Sequence, residues 1–89
     1  MTDEMHGYYT WYVQTDRSIR QDGNGVDCGL QHARSVGESI HWSCISQQQR
    51  LRPADLLDHT PQVSILIARD GKMIERFQGR ELGWQVIDG

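Results

Sequence analysis

The stretch QVSILIARDGKMIERFQG, residues 62 to 79, restricts the fold more than any other part of the chain. Two runs of strand-forming residues flank Asp70-Gly71. That dipeptide tolerates two successive positive φ angles, which a tight two-residue hairpin turn requires. Residues 62–79 are therefore expected to form a β-hairpin. In its first arm Val63, Ile65 and Ile67 share one face, while Leu66 and Ala68 make the other face apolar as well. A strand apolar on both faces belongs in the interior of a covered sheet. The more polar second arm, Met73 to Gln78, reads as an edge. A proline, Pro61, stands just before the first arm.

The other segments are read against this hairpin. YYTWYVQT (8–15) is rich in aromatic and β-branched residues and forms a strand. Alternation puts Tyr9, Trp11 and Val13 on one face and Tyr8, Thr10 and Tyr12 on the other. DRSIRQDGNG (16–25) is polar and holds Asp-Gly and Asn-Gly pairs, so it reads as a loop, with room for one helical turn near Ser18. In residues 26–39, Val26, Leu30, Ala33 and Val36 recur at helical spacing, with Gly37 placed to cap the helix end. SIHWSCIS (39–46) alternates and reads as a strand, with Ile40, Trp42 and Cys44 on one side and His41, Ser43 and Ile45 on the other. Residues 52–60 suit a short helix with Pro53 in its first turn. Residues 80–89 end the chain as a short helix or strand, with Trp84, Val86 and Ile87 docked on the core.

Eighty-nine residues are enough for one domain, read as 1–89, with 1–7 as a disordered N-terminus. No apolar run approaches the ~20 residues that a membrane-spanning helix needs. The acidic start, MTDEMHG, lacks the apolar stretch of a signal peptide. A cytoplasmic protein with no membrane partner is expected. The net charge of −3 weighs against a nucleic-acid partner. Eight of the nine basic residues are Arg, with Lys72 the exception; genomic base composition accounts for such a bias without any special role.

The expected order is strand, helix, strand, short helix, strand, strand. A strand–helix–strand beginning implies a parallel pair joined by a crossover. That order, with Thr60-Pro61 leading into Val63–Ile67 and then Asp70-Gly71-Lys72 and a strand ending at Gly79, resembles the thioredoxin and glutaredoxin family over residues 8 to 79. The resemblance implies an α+β fold with a small mixed sheet of about four strands and short helices. It also implies that Pro61 is cis and shapes a peptide-binding groove. An ordinary trans proline ending the preceding helix is the other reading.

The chain departs from the family in having no Cys-x-x-Cys pair. The active-site position would fall either at Thr15-Asp16-Arg17-Ser18, with no sulfur, or at Cys28-Gly29-Leu30-Gln31, with one. Dithiol exchange needs one sulfur to attack and another to resolve. Ordinary thioredoxin activity is therefore not supported. A monothiol role for Cys28 remains, if the residue sits at a helix N-terminus that lowers its pKa.

Other constellations carry less. Cys28, His32, His41 and Cys44 are suitable zinc ligands in kind, but their spacing fits no common finger, so no metal is expected. Asp58, His59 and the serines lack the local signature of a catalytic triad. Tyr8 and Tyr12 with Arg17 and Arg20 could stack single-stranded nucleic acid, although a small domain needs such aromatics for its core. The expectation is a non-catalytic, thioredoxin-like module without a cofactor. It would bind a protein partner or peptide through Thr60, Pro61, Tyr8, Tyr12 and Arg17, or form a homodimer along a free strand edge. A monothiol redox protein using Cys28 and a small nucleic-acid-binding regulator are the alternatives.

Overall fold

The computed structural model describes residues 6–15, 18–51 and 63–87. Their order is β1 (Gly7–Gln14), β2 (Ile19–Cys28), α1 (Leu30–Leu51), β3 (Ser64–Arg69), β4 (Lys72–Phe77) and β5 (Trp84–Val86). The strands make one five-stranded sheet in the order β2-β1-β3-β4-β5. Every neighbouring pair is antiparallel.

This arrangement overturns the thioredoxin-like reading. Among the described residues no parallel pair adjoins in the sheet, and a single long helix spans the segment where a helix and then a strand were expected. Because β1 is antiparallel to both β2 and β3, those two strands run the same way, and α1 links them across β1. The crossover therefore starts from β2, whose residues 19–25 read as loop and 26–28 as the start of the helix in the sequence alone.

The terminal hairpin forms where expected. Asp70 and Gly71 both have positive φ, 52° and 87°, as a two-residue turn matching the sheet twist requires. β3 is central, between β1 and β4, and Ile65, Leu66, Ile67 and Ala68 are all buried. β4 is not an edge, since β5 pairs with it; among the described strands the edges are β2 and β5. At the end of the chain Trp84 packs on the core, but Val86 is exposed.

β2 carries the glycines that suggested turns. Gly23 lies opposite Trp11, and a β-carbon there would stand 3.0 Å from the indole. A glycine inside a strand here marks close approach of a large ring rather than a chain reversal. The reversal lies earlier, where the Thr15 N–H donates to the Ser18 carbonyl at 2.8 Å. Register shifts on both sides of Trp11 bend the ribbon around that ring.

The helix begins after Cys28, with the Ala33 N–H donating to the Gly29 carbonyl. It runs without a break through residues 39–46, so the strand expected there does not exist. Ile40 and Cys44 do share a face, but at i and i+4 of a helix, a spacing common to both periods. Trp42 separates the two readings: a strand would bury it with Ile40 and Cys44, whereas it is 62% exposed. His41, on the face opposite Ile40 and Cys44 in a strand, is buried.

The core lies between α1 and one face of the sheet. Tyr9, Trp11, Val13, Val63, Ile65, Ile67 and Phe77 meet Ala33 and Cys44, with Leu30, Val36 and Ile40 packed around them. The Trp11 Nε1–H donates to the Ala33 carbonyl at 2.8 Å, fixing β1 to the first turns of the helix. Several residues of α1, among them Ser35, Val36, Gly37, Ser39 and Ile40, are mediocre helix formers, so this packing rather than propensity holds the helix.

Candidate functional site

Three expected site residues, Thr60, Pro61 and Arg17, lie outside the described residues, as does the helix expected over 52–60. Tyr8 and Tyr12 are described, on the sheet face turned away from α1. Tyr8 is exposed and Tyr12 half-buried. Tyr12, Leu66 and Arg76 form a cross-strand row on this face, where the Arg76 Nε is buried without a hydrogen-bond partner among the described residues. Around Tyr8 the neighbours are acidic. Asp27 is its register partner, and Asp70 accepts the Tyr8 N–H at 3.1 Å.

Cys28 ends β2, half-buried against the core, and neither cysteine is in a disulfide. Cys44 is buried in α1, and burial pushes its thiol pKa up; Arg20 lowers it and Asp22 raises it to lesser extents. Among the described residues no three His, Cys, Asp or Glu side chains converge to hold a metal.

A different site stands out on the helix side. Glu38, His41 and Trp42 of α1, with Phe77 of β4 and Arg80 of the following turn, line a half-open cleft of about 240 Å³. A chain of ring contacts runs from two of its lining residues to Trp84 behind them. His41 meets Phe77 edge-on with centroids 5.0 Å apart. Phe77 lies 4.9 Å from Trp84. The Trp84 Nε1–H in turn donates to the Glu38 Oε2 at 2.9 Å. β5 is thus fastened to the helix through Trp84, and the Glu38 carboxylate is oriented by it.

The His41 Nε2 lies 3.1 Å from the Val63 carbonyl oxygen. A carbonyl only accepts, so Nε2 carries the proton. Burial pushes the imidazole pKa down, and the bond to Val63 offsets part of that. The ring is therefore neutral near pH 7. One turn before Glu38, Arg34 forms a fork with Glu75, Nε to Oε1 at 2.8 Å and Nη2 to Oε2 at 2.7 Å. The hydrogen bond to Glu75 is the main cause that raises the Arg34 pKa, so the guanidinium stays charged and committed to this partner.

No family model, no curated protein and no solved structure matches the chain.

The sequence reading missed this cleft. Glu38 and Arg80 were not singled out, and Phe77 and Trp42 passed as strand or core residues. The signal that could have found it is the stripe 30, 33, 37, 40, 44, which keeps helical spacing through the supposed cap at Gly37 and turns Trp42 outward. No described helix is long and apolar enough to cross a membrane.

Proposed function

We propose that the protein is a non-catalytic interaction module that docks a protein partner on the surface around Trp42. The observation that carries this reading is the 62% exposure of Trp42 beside a cleft with aromatic and charged walls. Tryptophan and arginine are the side chains that most often dominate binding energy at protein interfaces. Trp42 also borders a shallow hollow with Ser43, Ser46 and Gln47, so the indole stands between two concave surfaces. Ser46 is exposed, and the wall behind Trp42 is fixed by the Trp84–Glu38 bond, which lowers the cost of ordering on docking.

The test is site-specific photo-crosslinking in the native host. A photoreactive residue at Ser46 is expected to give discrete protein adducts that disappear when Trp42→Ala is added. The same probe at Gln31, exposed about 22 Å away along the helix, is expected to give none of them. Identical adducts from both positions, or adducts that survive Trp42→Ala, would contradict the reading. Tyr8→Ala, on the far sheet face, should leave the Ser46 adducts intact.

A further inference from the structure

The cleft carries two opposite charges that do not neutralise each other. Glu38 and Arg80 both line it, yet they form no ion pair among the described residues. Arg34, the cation one helical turn from Glu38, makes its hydrogen-bonded fork with Glu75 and attracts Glu38 only weakly, as the smallest of the influences on its own pKa. The Glu38 Oε2 accepts from Trp84, the one hydrogen bond of this carboxylate among the described residues. His41 adds no charge to the cleft near neutral pH, because burial holds it neutral.

We infer that this cleft binds a free α-amino acid with an aromatic or large apolar side chain. The ammonium meets Glu38, the carboxylate meets Arg80, and the side chain lies against Trp42 and Phe77. An anion alone would be repelled by Glu38, and a cation alone by Arg80; a zwitterion satisfies both. The volume of about 240 Å³ lies below the ~300 Å³ lower bound common for drug-sized ligands and suits a ligand of single-residue size. The carboxylate of Glu38 and the ring of Phe77 are held in place before any ligand arrives, through Trp84. This inference goes beyond docking at Trp42 and does not depend on it, because its test needs only this chain and small molecules.

The experiment is an amide NMR titration of the full chain with L-phenylalanine, 3-phenylpropionate and phenethylamine. L-Phenylalanine is expected to shift the amides of Glu38, His41, Trp42, Phe77 and Arg80. Each analogue, lacking one charge-assisted contact, should bind about tenfold more weakly. Glu38→Gln keeps an oxygen for Trp84 but loses the charge, so 3-phenylpropionate should then bind as well as L-phenylalanine. Arg80→Met should do the same for phenethylamine. Absence of shifts in the wild-type protein, equal binding of all three compounds, or an unchanged preference in the two variants would overturn the inference.

Discussion

A β-carbon added to Gly37 would stand 2.6 Å from the Trp84 ring, closer than real side chains pack. The absence of a side chain in the middle of α1 is what lets β5 close onto the helix. It also shapes the cleft wall, because the same indole holds Glu38 and contacts Phe77.

Gly37→Ala is therefore expected to destabilise the protein. In an open helix interior the change would stabilise by about 1 kcal/mol. Here the indole is tied at Nε1 and cannot withdraw freely, and overpacking of this kind costs about 1–3 kcal/mol. Urea denaturation measures the difference. A stabilised variant would mean that Trp84 does not rest on the helix.

Arg34→Ala should cost about 3 kcal/mol, toward the lower end for a broken buried pair because the Arg34 side chain is 37% exposed. The loss arises because Glu75, 4% exposed, is left as a buried carboxylate without its fork. Arg20→Ala, which breaks an exposed contact with Asp22, should change stability by less than about 1 kcal/mol. Comparable losses in the two variants, by the same denaturation experiment, would contradict the assignment.

The His41 imidazole pKa is lowered in the folded protein by burial, with the Val63 bond opposing. The unfolded chain then takes up a proton first, near the ordinary value of about 6.5. The contribution of neutral His41 to stability is complete above that pH and is lost as pH falls through the lowered folded value. The wild-type protein should lose more stability between pH 7.5 and pH 5 than His41→Gln does. Parallel pH profiles of the two proteins would show that His41 is not buried as described.

The two thiols should differ in reactivity. Cys44 is buried with a raised pKa, whereas Cys28 is only half-buried. Maleimide labelling of the native protein at neutral pH should modify Cys28 first, and Cys44→Ser should leave the fast phase unchanged. A fast phase that disappears in Cys44→Ser would reverse the assignment.

The strands with plain alternation or a committed turn were legible in the sequence. Tyr9, Trp11 and Val13 point inward as their period predicts, and Asp70-Gly71 turns the chain as its tolerance of positive φ predicts. β2 was not legible, because Gly23 and Gly25 read as chain reversals, and only the ring of Trp11, from another strand, explains why Gly23 is extended. The helix was cut in two for a related reason. Gly37 suggests a cap until Trp84, 47 residues away in sequence, occupies the space of its missing side chain. Ile40 and Cys44 fit both periods, so the error turned on the direction of Trp42. The cleft followed the same fate, since Glu38 and Arg80 are brought together only by an unbroken helix and by the turn after β4.

Residues 39–46 are helical, with His41 turned in and Trp42 turned out, and the cleft exists only in that arrangement. A nuclear Overhauser spectrum of the full chain tests this most directly. It should show amide contacts between residues three apart from Ser39 to Ser46, and contacts from the His41 ring to Phe77 and Val63. Extended-strand contacts over the same residues, with the Trp42 indole buried beside Ile40 and Cys44, would contradict it.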